Sequence, residues 1–409
     1  MTRFIVPILF ILALDLYGFF ALKPLLDGRS ERARQIFAIV WWSIPLIAFA
    51  YMAAITFNIE PSWPKAISVP ARAFLFILYL AKFVASGFFL IDDLRRLVTA
   101  AFRFFTPETT AFWPDRSKFL TQMAIIAGGL PAAVLSYGII RNPYRYELFE
   151  VDVPIKGLSP KHEGLRIAQI SDIHSGSFFR SDPIKEGIKL LNDQKPDLVC
   201  FTGDLVNSKA DEIEPFIEIF GKIESKYGTY SIIGNHDYGD YVNGWGPKEK
   251  EDNWALLERN HKRLGWDLMR NENRVLDING EPLALIGVEN WSTIGRFPKT
   301  GDLAKASAGT EGVLTKVLLS HDPTHWDAQV VEHRDDIQLM LAGHTHGFQF
   351  GVEIPGYRWS PSQYLYDQWA GLYSKGNQHL YVNRGFGFLG YPGRVGILPE
   401  VTILRLVAA

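Results

Sequence analysis

The sequence is poor in sulfur, nearly neutral in net charge, and without histidine in its first third. A single cysteine, Cys200, among 409 residues excludes an intramolecular disulfide framework and any metal site built from several thiolates. The formal net charge of −2 gives no support for a nucleic-acid surface, which a basic domain would indicate, so no nucleic-acid partner is expected. All ten histidines lie from His162 onward, and any histidine chemistry therefore belongs to the later part of the chain.

Charge also separates the chain into two unlike parts. Residues 1–140 hold 13 Lys and Arg and 8 Asp and Glu, a net charge of +5, whereas residues 141–409 carry a net charge of −7. The first part is typical of a lipid-embedded anchor, and the second is typical of a soluble domain. The length by itself suggests two or three structural units.

Four apolar runs in the first part are long enough to cross a bilayer core, which needs about 20 residues. A signal peptide is the alternative for the first run, but no cleavage-site pattern follows it. Asp15 interrupts the first run, and Arg72 and Lys82 interrupt the third. Asp15 and Lys82 form either a structural pair or a functional site in the membrane. The predicted spans are 4–22, 36–59, 69–91 and 119–140.

The distribution of Lys and Arg between the short loops predicts the orientation. Loops 23–35 and 92–118 carry nine of these residues, whereas loop 60–68 and the N-terminus carry only Lys65 and Arg3. Loops rich in Lys and Arg stay in the cytoplasm. We therefore expect an integral protein of a bacterial inner membrane or a plasma membrane, with the lipid bilayer as a partner and the C-terminal domain on the exoplasmic side.

After a predicted linker at 141–163, the pattern of apolar and polar residues becomes that of an α/β domain at 164–409. Apolar strand-like runs alternate with helix-like runs, a rhythm that predicts a parallel sheet. The predicted strands are 165–171, 197–202, 229–233, 283–288, 316–320 and 337–342, and the predicted helices are 183–192, 213–225 and 254–264.

Five polar blocks follow directly after predicted strands. Ligands bind at the carboxyl ends of strands in such folds, so we expect the blocks to converge. Carboxylate and imidazole side chains bind zinc, manganese or iron, and their number suits two ions. The blocks are Ser171-Asp172-Ile173-His174, Thr202-Gly203-Asp204, Gly234-Asn235-His236-Asp237, Ser320-His321-Asp322 and Gly343-His344-Thr345-His346.

In these blocks the sequence resembles the calcineurin-like metallophosphoesterases, whose pattern is D-x-H, G-D, G-N-H-[DE], H and G-H-x-H. Residues 380–385 and 398–400 are similar to a membrane-anchored phosphodiesterase branch. The resemblance implies a four-layer α/β/β/α sandwich and two divalent ions drawn from manganese, iron, zinc and cobalt, with manganese favoured. It assigns the first ion to Asp172, His174 and His346, the second to Asn235, His321 and His344, and a bridging position to Asp204.

The resemblance also implies the catalytic roles. A metal-bridging hydroxide attacks phosphorus, His236 protonates the leaving oxygen, and Asp237 orients His236. Arg384 is either a phosphate contact or part of a loop salt bridge. This chain departs from the pattern at Asn207, where the family often has an acidic residue, and at Phe348, which we expect to narrow the mouth of the site.

The leading hypothesis is a membrane-anchored hydrolase of a phosphodiester, phosphomonoester or diphosphate bond. The substrate is either a small-molecule or a lipid phosphoester, and the anchor is the reason to consider a lipid-linked one. The aromatic residues of segment 347–379 form either a collar for such a lipid or ordinary loop packing. A broad phosphodiesterase that is merely tethered is one alternative. A membrane receptor or transport protein with a structural metal domain is the other.

Overall fold

The computed structural model describes residues 2–57, 59, 63–105 and 114–409. It divides the chain into two units, Met1–Tyr137 and Gly138–Ala409. Two loops used in the orientation argument lie partly outside the described residues, at 60–62 and 106–113.

The four predicted spans are confirmed as four helices that are long and apolar enough to cross a membrane. The third helix extends well beyond its apolar run, because Asp92 continues it with ion pairs to Arg95 and Arg96 on the following turn. The helices are α1 (Thr2–Leu22), α2 (Glu31–Thr56), α3 (Lys65–Phe105) and α4 (Pro114–Arg141).

Asp15 and Lys82, which lie inside the first and third spans, form an ion pair. Lys82 on α3 donates to the buried carboxylate of Asp15 on α1, and the hydroxyl of Tyr79 donates to the same carboxylate at 2.8 Å. The Lys82 ammonium also lies 4.4 Å from the centre of the Trp41 ring. Both charges therefore have partners within the helices, as the structural interpretation expects.

The C-terminal unit contains two six-stranded sheets and a small hairpin. The strands are β1 (Glu147–Ile155), β2 (Arg166–Ile170), β3 (Leu198–Phe201), β4 (Thr229–Ser231), β5 (Asp267–Leu268), β6 (Glu272–Ile278), β7 (Glu281–Gly287), β8 (Thr315–Leu319), β9 (Leu339–Ala342), β10 (Val352–Ile354), β11 (Tyr357–Trp359), β12 (Gly371–Lys375), β13 (Gln378–Val382) and β14 (Glu400–Ala408). The first sheet has the order β1-β14-β2-β3-β4-β5, the second has the order β12-β13-β9-β8-β7-β6, and β10 pairs with β11 in the hairpin.

Alternate residues of each central strand enter different cores, which produces the expected four layers. In β3, Leu198 and Cys200 point into the core between the sheets, whereas Val199 and Phe201 point toward the helices. In β8 of the second sheet, Val317 and Leu319 point into the core between the sheets, whereas Leu318 points to the opposite face and packs in the core that contains Trp326. The α-helices of the unit are α5 (Asp182–Asn192), α6 (Ile217–Phe220), α7 (Pro247–Leu264), α8 (Leu303–Ser307) and α9 (Val331–His333).

Two local predictions are wrong. The predicted linker at 141–163 contains β1, which pairs in parallel with β14 from Glu147 opposite Glu400 onward, a partner too distant in sequence to be anticipated from local pattern. The predicted helix at 213–225 begins inside a 3-10 segment, Ala210–Phe216, and continues only through α6, which ends at Phe220. A continuous α-helix from Ala210 onward would use the amide hydrogen of residue 215, which Pro215 lacks.

Candidate metal centre

The five polar blocks all begin at the carboxyl ends of strands. Three follow β2, β3 and β4 in the first sheet, and two follow β8 and β9 in the second. Backbone hydrogen bonds tie the loops together, since the Asp172 amide donates to the Gly203 carbonyl and the Gly343 amide donates to the His321 carbonyl, both at 2.9 Å. The two sheets therefore bring the blocks to one place.

Asp172, His174 and His346 form the first group of side chains that could hold a metal ion. The Nε2 atoms of His174 and His346 lie 3.0 Å apart, and His346 Nε2 lies 3.1 Å from Asp172 Oδ1. All three residues are buried. Two imidazole nitrogens and a carboxylate oxygen thus converge away from bulk water, which is a suitable donor set for a transition-metal cation.

Asp204, His321 and His344 form the second group. Asp204 Oδ2 lies 3.2 Å from His321 Nε2, and His321 Nε2 lies 3.2 Å from His344 Nδ1. The same carboxylate oxygen of Asp204 lies 3.5 Å from His174 Nε2 in the first group. Asp204 therefore stands between the two groups.

A hydrogen bond to the backbone fixes the tautomer of His321. His321 Nδ1 lies 2.7 Å from the carbonyl oxygen of Thr202, which can only accept, so Nδ1 carries a hydrogen. A neutral ring then points the lone pair of Nε2 at the Asp204 carboxylate. Although burial opposes it, the charge of Asp204 raises the pKa of His321 to about 10, so this carboxylate favours a positive charge beside it.

Other groups in the cluster already have the protonation state that binds metal. Burial lowers the pKa of His174 well below its usual value, which keeps its ring neutral. Burial alone would raise the pKa of Asp172, but His346 and His321 outweigh it and hold that pKa well below its usual range. Neutral imidazole and ionised carboxylate are the ligand forms of these side chains.

An unsatisfied amide supplies an independent test of fit. Asn235 is buried and its Nδ2 donates to the Tyr241 hydroxyl at 2.8 Å, but its Oδ1 accepts no hydrogen bond from any described residue. A buried carbonyl oxygen without a donor is costly, and a cation would satisfy it. The residues therefore fit the two divalent ions that the resemblance implies.

Several candidate ligands hold a strained backbone conformation. Asp172, His174, Asp204, His344 and His346 have φ between 46° and 71°, in the left-handed region that non-glycine residues rarely adopt. Gly203, with φ of 96°, permits the neighbouring turn, where a Cβ atom would lie 2.5 Å from the Gly234 amide nitrogen. Strain of this kind concentrates at functional sites, where the surrounding structure enforces it.

His236 lies beside both groups, but Asp237 does not orient its ring as the resemblance implied. The Asn207 carbonyl accepts from His236 Nδ1 at 2.7 Å, and the Tyr241 ring stacks on the imidazole at a centroid distance of 4.3 Å. The buried Asp237 carboxylate instead accepts from four backbone amides, those of Asp204, Leu205, Val206 and Gly234. Asp237 therefore positions the ligand loops.

Arg384 is not free to contact a phosphate, which corrects its assignment to substrate binding. Its guanidinium is buried and donates to Glu400 at 2.6 Å and to both carboxylate oxygens of Glu353 at 2.5 and 3.0 Å. Two carboxylates already neutralise the charge, so the salt-bridge interpretation holds. The glutamates lie 31 and 16 residues away in sequence, outside any local motif.

Three residues outside the five blocks support the site: Tyr366, which belongs to the aromatic segment 347–379, and two arginines that no sequence pattern marks. The Tyr366 hydroxyl lies 2.9 Å from His344 Nε2, and the buried Arg394 guanidinium lies 3.3 Å from His346 Nδ1. Arg296 brings an exposed guanidinium to a cleft of about 670 Å³ that opens over the ligands. Phe348 lines the mouth of this cleft as expected. No motif spacing marks the three supporting residues, because each acts on a histidine or cleft formed by distant elements.

The histidines outside the blocks are held by other partners. His325 lies between Ser320 Oγ and Gln329 Oε1, at 2.8 Å from each. His162 contacts Thr315 Oγ1 at 3.0 Å. His261 Nδ1 contacts a helix carbonyl, His379 contacts Ser374, and His333 is exposed on the surface.

Comparison with known proteins identifies similar chains for both units. Residues 1–143 match the family described as "Probable Calcineurin-like phosphoesterase, transmembrane domain", and residues 165–348 match the family described as "Calcineurin-like phosphoesterase". The chain is 30% identical over 250 residues to phosphodiesterase YaeI of Escherichia coli, covering 59% of this chain and 82% of that protein.

Two further relatives extend the similarity along the chain. The chain is 29% identical over 302 residues to metallophosphoesterase YkuE of Bacillus subtilis, covering 71% of this chain and 97% of that protein. It is 28% identical over 361 residues to the "Transmembrane protein with metallophosphoesterase domain" of Danio rerio, covering 86% of this chain and 75% of the other.

Proposed function

Since the chain belongs to the calcineurin-like metallophosphoesterases and carries their four-helix transmembrane domain, we propose that it hydrolyses phosphoesters at a dinuclear metal centre beside a membrane. The bond cleaved is a phosphodiester, phosphomonoester or diphosphate. One observation carries the proposal: Asp204 stands between two groups of buried ligands, 3.2 Å from His321 and 3.5 Å from His174. A receptor with a structural ion would need only one of these groups.

We assign the ligand roles as the resemblance implies, and the two groups of side chains support the assignment. Asp172, His174 and His346 would hold the first ion, Asn235, His321 and His344 would hold the second, and Asp204 would contribute to both. When bound, the two cations would polarise the phosphoryl group and lower the pKa of a water molecule. Manganese is our first choice among manganese, iron, zinc and cobalt, since oxygen and nitrogen donors without sulfur accept all four.

His236 supplies the proton for the leaving oxygen. Its Nδ1 hydrogen is committed to the Asn207 carbonyl, and its ring lines the cleft, so the proton to be transferred is on Nε2 of the imidazolium. As the phosphorus–oxygen bond breaks, this proton passes to the departing oxygen and leaves a neutral ring. The stacked Tyr241 ring keeps the imidazole plane fixed during the transfer.

We place lipid-linked phosphoesters first among the substrates. The chain is an integral membrane protein, and apolar side chains of Phe348, Leu389 and Tyr391 line the cleft together with the Arg296 guanidinium. An apolar rim accommodates acyl chains, and the guanidinium attracts the phosphate.

The test is hydrolysis by the full-length protein in detergent after removal of bound metal by a chelator. We expect the stripped protein to lose activity by at least about a hundredfold and to recover it with manganese, iron, zinc or cobalt. The panel contains phospholipids, lipid diphosphates and nucleotide diesters. Hydrolysis that survives complete metal removal would contradict the proposal, as would a metal-loaded protein that hydrolyses no member of the panel.

We propose further that the C-terminal domain lies on the exoplasmic side. The excess of Lys and Arg in loops 23–35 and 92–118 supports this orientation. A phosphatase reporter, active only outside the cytoplasm, is expected to be active when fused after Ala409. Activity of a reporter that works only in the cytoplasm at the same position would reverse the assignment.

A further inference from the structure

The β10–β11 hairpin presents its apolar side chains outward and its charged side chains inward, the reverse of an ordinary surface hairpin. Glu353 and Arg358 are paired across the hairpin and share one face. On that face Glu353 accepts from buried Arg384, and Arg358 donates to the Tyr373 hydroxyl and lies 5.0 Å from the Trp369 ring. Both charged side chains of the hairpin therefore have partners inside the domain.

The other face of the hairpin is entirely apolar and aromatic. Register pairs Val352 with Trp359 and Ile354 with Tyr357, so these four side chains share that face. Val352 is 43% exposed, Ile354 58% and Tyr357 56%. The turn between the strands, Pro355-Gly356, adds no charge. A contiguous exposed apolar patch of this kind marks a contact surface.

One short segment connects this hairpin with the end of the fourth span. The carbonyl of Val395 accepts from the Gly351 amide at 2.8 Å, just before β10. The neighbouring Arg394 amide donates to the Gly138 carbonyl near the end of α4 at 3.2 Å, and the Arg394 carbonyl accepts from Asn142 at 2.8 Å. The base of the hairpin is therefore linked by hydrogen bonds to Gly138 and Asn142, which belong to the same unit as the hairpin and flank Arg141, the last residue of the candidate span.

We propose that the apolar face of the hairpin, formed by Val352, Ile354, Tyr357 and Trp359, lies in the lipid–water interface of the bilayer that this chain spans. Tyrosine and tryptophan favour this region because their rings are apolar and their polar groups reach water. The outward aliphatic side chains enter the acyl boundary, as in other interfacial elements. The proposed contact between hairpin and bilayer depends on the membrane spans and on the geometry of the hairpin. Its consequence is that the cleft beside Phe348 faces lipid head groups, and this consequence alone rests on the proposed function.

The experiment places a fluorescent probe on the hairpin of the full-length protein. Cys200 is fully buried and does not compete for a maleimide reagent, so Ile354→Cys and Val352→Cys can each be labelled selectively with a polarity-sensitive dye. The proteins are reconstituted in phosphatidylcholine and phosphatidylglycerol vesicles, with or without nitroxide groups on the acyl chains. Leu314→Cys is the matched control, because Leu314 is 74% exposed and precedes β8, at the opposite end of that strand from the site.

We expect the acyl-chain nitroxides to quench dyes at 354 and 352 at least about twofold more strongly than the dye at 314. Equal quenching at the three positions would overturn the proposal, because the hairpin would then lie in water. A blue-shifted dye at 354 without lipid quenching would also overturn it, because another protein surface, such as a second copy, would cover the face. The readout needs no catalysis, so it remains decisive even if the protein hydrolyses no phosphoester.

Discussion

Asp204→Asn is expected to lower kcat/KM for phosphodiester hydrolysis by about a thousandfold, which corresponds to about 4 kcal/mol of transition-state stabilisation. The carboxylate contacts both ligand groups, so its loss weakens both ion positions together. Asparagine is the informative replacement because it tolerates the left-handed φ of 59° at this position and has nearly the same shape. Elemental analysis of the purified variant should show less than the full metal content.

Asp240→Asn provides the matched control for Asp204→Asn. Asp240 is an exposed carboxylate three residues beyond the Asp237 position and pairs with Lys250 at 2.5 Å, outside the ligand groups. Its replacement should leave kcat/KM within about twofold of the value of the parent protein, because exposed ion pairs contribute little to stability. If Asp204→Asn kept both its metal and its rate, the bridging role would be wrong.

The ligand set could be anticipated from sequence because it depends on short-range order. Asp172 and His174 follow β2 directly, and His344 and His346 follow β9, so the strand ends alone predict that they converge. Their backbone strain could not be predicted, since the left-handed conformation of Asp172 is enforced by bonds to the loops after β3 and β9. Local pattern thus predicts that these side chains converge, the resemblance proposes them as ligands, and tertiary contacts set their geometry.

The errors concern partners that sequence motifs do not encode. The group that holds the His236 ring is the backbone carbonyl of Asn207, and any residue type supplies a carbonyl. Asp237 is acidic in the expected place, but its carboxylate accepts backbone amides from the neighbouring loops. Arg384 looks like a phosphate contact until Glu353 and Glu400 are seen to enclose it. In each case the missing information is a contact between elements distant in the chain.

His236→Ala is expected to slow hydrolysis by an amount that depends on the leaving group. For an alkyl phosphodiester we expect a loss of about a thousandfold in kcat, because an unprotonated alkoxide leaves poorly and general acid catalysis contributes about 10² to 10⁴. For a p-nitrophenyl phosphodiester the loss should be about tenfold or less, because that leaving group is stable as an anion. A role in charge stabilisation alone would slow both substrates equally.

The variant separates catalysis from metal binding because His236 contacts Asp204 through its backbone. The His236 amide donates to Asp204 Oδ1 at 2.8 Å, a bond that alanine preserves, so metal content should match the parent. His333→Ala, at an exposed histidine, should change neither the metal content nor the rate of hydrolysis. If His236→Ala kept both its metal and its rate with the alkyl substrate, His236 would not be the catalytic acid, and the proton would have to reach the leaving oxygen from another group in the cleft. If the two substrates were slowed equally, the imidazole would act through its charge, since only proton transfer makes the loss depend on how well the leaving oxygen bears a negative charge.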